Sequence, residues 1–374
     1  MRVSVPMHSN AIAVGFMKKI FLAIGLMSGT SLDGIDAAIL RTDGEKIIEP
    51  GKFFNLPYTT KFRERLRLVL EGTGQIELVE RELTLLHAEA IDSLLTEAGR
   101  KSSDIDLIGF HGHTVVHDPA QLKTHQIGDG ALLAAKIGID VVCDLRSNDV
   151  AHGGQGAPLV PLYHLALAYR LTMPVAILNI GGVANITYIN GDERSLIAFD
   201  TGPGGALLDD WMLQKMGKVF DDDGRVASSG LVSNNVLSEL LSAPYFDKPP
   251  PKSLDRDDFD ITPIRSLSAK DGAATLTAFT CGAVTRSLDH LPAPPKIWLV
   301  TGGGRKNRFL MQKLSEGLKV PVKPVEAVGW DGDALEAQAF SYLAVRSIRQ
   351  LPITLPGTTG VKEPMSGGVF YPKP

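Results

Sequence analysis

Cysteine is nearly absent: Cys143 and Cys281 are the only two in 374 residues. One remote pair cannot staple a fold of this size, so a hydrophobic core must hold it, and a reducing compartment is the simpler expectation. No run of 18 apolar residues occurs, which leaves no sequence candidate for a membrane-spanning helix. Charge of one sign is not concentrated anywhere. The formal net charge is -4 and no basic stripe is visible, which argues against a nucleic-acid partner. The phosphate fingerprints G-x-x-x-x-G-K-[ST] and G-x-G-x-x-G are both missing. That speaks against a P-loop nucleotidase and a standard dinucleotide crevice. His111, His113, His117, His125 and His152 cluster, yet no spacing fits a standard zinc motif and both cysteines lie outside the group. Sugar contact or polar packing is the expectation there, and no metal ligand is assigned.

What is present is the composition of a soluble globular protein, 44% hydrophobic and 21% charged. The length suits two domains of about 150 to 200 residues. Met17-Lys18-Lys19 followed by Ile20–Met27 superficially resembles a signal peptide. The apolar run is short and leads into a polar glycine turn, so it reads as a buried first strand. Residues 1–19 are expected to be a disordered extension, with Met17 an alternative start. Lobe I is expected over 20–170, lobe II over 171–350, and an extended tail packing back on the body over 351–374.

The alternation of apolar strands with helical periodicity predicts an α/β fold. Strands are expected at Ile20–Met27, Ile35–Arg41, about 46–57, 106–110 and 141–144, with helices at about 60–71, 75–98, 129–138 and 158–170. The second half restarts with strands at Val175–Ile180, Ala184–Asn190 and Ser195–Phe199. Helices follow to about Met216 and at 272–290, then a strand at Ile297–Thr301 and a helix over about 333–350. Residues 244–260, rich in proline and charge, read as a surface excursion. Each half thus has strand, glycine turn, strand, strand, and later a strand ending in a polar loop.

Five blocks carry candidate chemistry. Gly29-Thr30-Ser31-Leu32-Asp33-Gly34-Ile35-Asp36 offers close backbone approach, hydroxyl donors and carboxylates able to hold Mg²⁺, or else it is a polar hairpin turn. Gly181-Gly182, with Asn185 beyond, is a second glycine turn. Asp200, in Asp200-Thr201-Gly202-Pro203-Gly204, is either a general base or the cap of the helix that follows. Gly302-Gly303-Gly304-Arg305 would let a flat ligand lie on backbone with the guanidinium beside it, unless it is only a tight turn. Asp144, Arg146, Gln155 and Gly156 can bond sugar hydroxyls, an amide or a carboxylate, or form a structural salt bridge.

In order and spacing these blocks resemble the anhydro-N-acetylmuramic acid kinase family from about residue 20 to 373. The matching segments are Gly25–Asp36, Gly109–Thr114, Gln126–Asp129, Gly153–Pro161, Leu178–Asn185, Asp200–Gly204 and Thr301–Arg305. The resemblance implies a two-lobed actin-like ATPase fold of the ribonuclease H kind, with a central cleft. It implies ATP and Mg²⁺ as cofactors, an amino sugar as substrate, a homodimer, cytoplasmic location, and neither nucleic acid nor membrane as partner. The implied reaction opens the anhydro ring of 1,6-anhydro-N-acetylmuramic acid with water while phosphorylating O6, in cell-wall recycling. Carried over by position, Gly29–Asp36 is the ATP phosphate loop, with Gly181, Gly182, Asn185 and Gly302–Arg305 completing the nucleotide site. Asp200 is the base and Glu336 assists at metal or water. His111, His113, Thr114, Asp144, Arg146, Gln155 and Gly156 are the sugar contacts. The family commonly has Gln at the place of His113. Two rivals remain at this point: another actin-like sugar or carboxylate kinase, and a non-enzymatic ATP-binding protein of the chaperone or filament type.

Overall fold

The computed structural model describes residues 19–29, 31–254 and 258–374. The proposed N-terminal extension and Thr30 therefore lie, apart from Lys19, outside the described residues.

Two mixed sheets organise the chain. The first runs β13-β7-β4-β1-β2-β3, from β1 (Phe21–Met27), β2 (Gly34–Thr42), β3 (Ile48–Pro57), β4 (Leu107–Phe110), β7 (Val141–Cys143) and β13 (Val369–Tyr371). The second runs β10-β9-β8-β11-β12, from β8 (Val175–Ile180), β9 (Val183–Ile189), β10 (Ile197–Pro203), β11 (Ile297–Thr301) and β12 (Val322–Pro324). Each begins as an antiparallel meander of three strands whose first strand then pairs in parallel with the fourth, and the fourth with the fifth. The same order and sense in both halves is the duplicated α/β design expected of an actin-like chain. β13 is an addition, closing the first sheet antiparallel to β7.

The core strands are apolar because both faces are covered: Val175, Ala176, Ile177 and Leu178 are all fully buried. Helix ends follow local chemistry. Asp129 accepts from Leu132 N–H at the start of the helix Gly130–Ile137, and Gly138 ends it with φ of 71°. A small hairpin of β5 (His113–Asp118) and β6 (Lys123–Ile127) was not read from sequence.

The helix Leu335–Ile348, grouped with the second half by sequence position, packs against β1, β2 and β4. Gly25 and Gly109 are cross-strand partners in β1 and β4. A Cβ on Gly25 would lie 1.7 Å from the Ala337 carbonyl oxygen, and one on Gly109 would lie 2.0 Å from that of Phe340. Two bare backbones in one register row thus let a helix settle into the sheet. No helix among the described residues is long and apolar enough to cross a membrane. Cys143 and Cys281 are buried and form no disulfide.

Candidate active site

The turn between β1 and β2 is tightened by Leu32 N–H donating to Gly29 O at 3.2 Å, with Leu32 at φ 55°. Ser31 Oγ donates to Asp33 Oδ1 at 2.7 Å. Beneath it, the buried Ser28 hydroxyl lies 2.5 Å from Tyr58 Oη and 2.8 Å from His113 Nδ1. The expected phosphate segment narrows here. Leu32 and Ile35 point into the core, and a Cβ on Gly34 would strike Leu56 O at 2.4 Å. Those three serve the strand. Gly29, Ser31, Asp33 and Asp36 remain accessible.

Asp36 and Glu336 form the acidic side of the site. Burial pushes the Asp36 carboxyl up to about 7, with Asp33, Glu336 and Asp333 adding to the effect and a bond from Asn55 Nδ2 at 2.8 Å opposing it. Burial likewise raises Glu336, against the pull of Arg146. Asn179 Nδ2 approaches Glu336 Oε1 at 3.4 Å, joining β8 of the second sheet to the helix lying on the first. Among the described residues no group of three or more His, Cys, Asp or Glu is placed to hold a metal ion.

The second glycine turn answers the first. Gly181 and Gly182 are exposed, and a Cβ on either would meet nothing nearer than 3.5 Å. Gly29 is alike, with its nearest neighbour 3.7 Å away, and Gly303 has nothing within 4 Å. No internal packing requires glycine at these four positions. Close approach of a ligand to bare backbone is the remaining steric reason. Behind the turn, Thr301, Asn179, Asn185 and Asp200 occupy one register row across β11, β8, β9 and β10. Register partners project to the same face, so a polar row crosses the sheet.

Asp200 is not a helix cap. The next helix begins at Ala206, with Gly205 before it and no side-chain cap bond. Asp200 lies within β10, where the register slips between Asp200 and Gly202. Its Oδ2 accepts from Leu254 N–H at 2.8 Å, its own N–H donates to Lys252 O at 3.0 Å, and its carbonyl accepts from Tyr245 Oη at 2.5 Å. The supposed surface excursion is therefore a strap over this residue. Phe246 and Phe259 are buried, with rings 5.5 Å apart and both edge-on to Phe279. Sequence reasoning missed Tyr245, Lys252 and Ser253. The signal was present in the aromatics at 245, 246 and 259 among the prolines.

Arg305 does not present an open guanidinium to a ligand. Nε donates to Glu326 at 2.8 Å, Nη1 to Gly302 O at 2.9 Å, and Nη2 lies 2.9 Å from Asp333. It fastens the glycine turn, whose Gly302 takes φ 74° and where a Cβ would lie 2.4 Å from Asn179 Oδ1 and 2.5 Å from Ile180 O.

On the other side, the histidines go to separate partners. His113 is wholly buried, with its Nδ1 2.8 Å from Ser28 Oγ. His111 is also buried, and its Nε2 accepts from Arg146 Nε at 3.0 Å. Gly112, at φ 73°, turns the chain between them, so the two rings do not share one face of an extended segment. Arg146 also donates to Gly156 O at 2.6 Å, and burial brings its guanidinium down to about 10. Gly156 N–H donates to the buried Asp149. Gln155 Oε1 accepts from Ser253 Oγ at 2.8 Å, bringing the strap of the second half to the first. Thr114 Oγ1 accepts from Gln126 at 3.3 Å, and Asp144 takes φ 53° with its Oδ1 3.4 Å from Ser147 N. Arg146, Gln155, Glu336 and Asp200 are thus linked through short chains of contacts, whereas His113 lies beneath the first glycine turn.

The family profile described as anhydro-N-acetylmuramic acid kinase matches residues 21–373. The anhydro-N-acetylmuramic acid kinase of Paramagnetospirillum magneticum is 55% identical over 350 residues, covering 93% of this chain and 98% of that one. That of Rhodospirillum rubrum is 52% identical over 355 residues, covering 94% of each. Among solved structures, component A of the Acidaminococcus fermentans (R)-2-hydroxyglutaryl-CoA dehydratase aligns with a TM-score of 0.47 at 14% identity, covering 88% of this chain and 99% of that one. With nearly its whole folded length matched at such identity, this chain belongs to the anhydro-N-acetylmuramic acid kinase family.

Proposed function

We propose that the chain is an ATP-dependent kinase that opens the 1,6-anhydro ring of 1,6-anhydro-N-acetylmuramic acid with water and phosphorylates O6. The products are N-acetylmuramic acid 6-phosphate and ADP, in cell-wall recycling. The observation that carries this reading is the pair of glycine turns, Gly29 and Gly181-Gly182, where a Cβ would meet no clash within the fold, with Asp200 in the register row behind the second.

Backbone N–H groups and the Ser31 hydroxyl cradle the phosphates. The Gly302–Gly304 turn, fastened by Arg305, takes the nucleoside end, with Asn185 at the second glycine turn. Asp200 accepts a proton from water as that water's oxygen bonds to C1 of the sugar. The C1–O6 bond breaks, O6 bonds to the γ-phosphorus, and ADP leaves. Arg146 and Gln155 face the sugar side, and His111 holds Arg146. Mg²⁺ belongs to the same proposal. Asp33 and Asp36, with Glu336 near, are the residues that would hold it, directly or through water. Their fit is one of charge, since Asp36 is already pushed up to about 7 by burial and its acidic neighbours. Bound there, the ion would neutralise phosphate charge. A homodimer and a cytoplasmic location, where ATP is supplied, complete the reading.

The test is product analysis in ¹⁸O-water with purified protein, ATP and the anhydro sugar. The label is expected at the C1 hydroxyl and not at the phosphoester bridge. A phosphorylated sugar that keeps its anhydro ring, or ATP turnover without any sugar product, overturns the proposal.

A further inference from the structure

The strap over Asp200 is built for that residue. β10 is an edge strand, so one side of it offers backbone groups with no strand to pair them. The strap fills that edge at one point, taking the N–H, the carbonyl and the carboxylate of Asp200 through Lys252 O, Tyr245 Oη and Leu254 N–H. Lys252 also closes the strap on itself. Its buried ammonium donates to Tyr245 O at 3.1 Å and Phe246 O at 3.3 Å, and it sits 4.7 Å from the centre of the Tyr245 ring. His290 Nε2 stands 3.1 Å away. A lysine brought out of water is held here by carbonyl oxygens and ring faces, an arrangement that fixes position well. The next residue, Ser253, donates to Gln155 Oε1 on the sugar side of the other half.

We propose that Tyr245 and Lys252 are positioning residues for Asp200, and that the Ser253–Gln155 bond ties the alignment of the base to the segment that receives the sugar. This rests on the assignment of Asp200 as the base. The carboxylate must meet a water already aimed at C1, and a displacement of about 1 Å in such a geometry costs up to about a hundredfold in rate. When the sugar draws on Gln155, the bond through Ser253 carries that pull to a strap whose following residue holds Oδ2 of the base. Base alignment and sugar occupancy then change together.

The experiment is steady-state kinetics of the full chain for Tyr245→Phe, Lys252→Met and Ser253→Ala, with Asp200→Asn alongside and a thermal melt of each. Tyr245→Phe and Lys252→Met are expected to lower kcat about tenfold or more, while KM for ATP stays within about twofold. Ser253→Ala is expected to lower kcat/KM for the sugar and leave KM for ATP unchanged. Should Lys252→Met fail to fold, Tyr245→Phe, which removes one hydroxyl, carries the test. Unchanged kcat in Tyr245→Phe beside an inactive Asp200→Asn overturns the strap's role and leaves the base standing. A lowered melting point with equal loss toward both substrates also overturns it, since that marks a packing role. An active Asp200→Asn fails the base assignment and removes the strap's role with it.

Discussion

The Ser28 hydroxyl stands 2.8 Å from Nδ1 of His113, and both groups are buried beneath the first glycine turn. Tyr58 Oη completes the set from the other side. Burial lowers the His113 ring to about 4, so at neutral pH it is uncharged and serves as a hydrogen-bond partner. Ser28→Ala leaves a tyrosine and a histidine unpaired in the core. The expected cost is about 1 to 3 kcal/mol, read by urea unfolding. KM for ATP is expected to rise more than KM for the sugar, because the turn above Ser28 loses its support. Equal change in both would assign the triad to general stability.

Gly29→Val tests the turn itself. A Cβ at Gly29 meets only the end of Met27 at 3.7 Å and Ser31 Oγ at 3.8 Å, so the fold accepts a side chain there. ATP affinity, measured by calorimetry, is expected to fall at least tenfold with sugar affinity little changed, since the branched side chain stands where phosphate must approach (~1.4 kcal/mol per tenfold). Loss of both affinities together would point to misfolding.

Gly25→Ala and Gly303→Ala form a contrasting pair. The first places a Cβ 1.7 Å from a backbone oxygen of the helix Leu335–Ile348, and the second meets nothing within 4 Å. Gly25→Ala is expected to destabilise by about 4 kcal/mol or more, or to prevent soluble expression. Gly303→Ala is expected to melt like the native chain and show only weakened nucleotide binding. A normal melting point for Gly25→Ala would mean that the helix does not sit so close.

Asp200→Asn is expected to leave the melting point and ATP binding nearly unchanged and to reduce turnover by about 10³-fold. The amide keeps an oxygen to accept from Leu254 N–H but cannot take a proton from water. Turnover near the native value would reject the base.

Asp36 supplies a pH signature in the absence of divalent cation. Its folded-state carboxyl is raised to about 7 from an ordinary value of 3.8. The fold therefore holds the proton more tightly than the unfolded chain does, and this residue's contribution to stability is lost as pH rises from about 4 through 7. Asp36→Asn mimics the protonated form. Its melting point is expected to match the native chain at pH 4 and to exceed it at pH 8. Parallel curves across that range would remove Asp36 from the list of strained carboxylates.

Much of the frame was legible in the sequence because apolar strands bounded by glycine leave a strong pattern. Val175–Ile180 and Ile297–Thr301 have the expected bounds. The β5–β6 hairpin was hidden by its histidines and polar residues and by a register shift between Thr114 and Val116. The strap was hidden for a different reason. Proline and charge describe a segment's backbone, whereas its place over Asp200 is a tertiary fact carried by Tyr245 and by carbonyl and amide groups that have no sequence identity. His113 and Arg305 read as ligand-facing because their chemistry suits a ligand. Spacing along a chain does not reveal that Ser28, or Glu326 and Asp333, already engage them.

The glycine groove of Gly25 and Gly109 also sets an order of events during synthesis. The sheet that leaves the ribosome first lacks the helix Leu335–Ile348 that fills its groove, and the strand Val369–Tyr371 that ends its edge, until the last residues are made. A nascent first half thus carries an open seam through the whole translation of the second. Its stability arrives late and from far along the chain. Cutting the gene at the midpoint would separate the first sheet from the helix and strand that complete it.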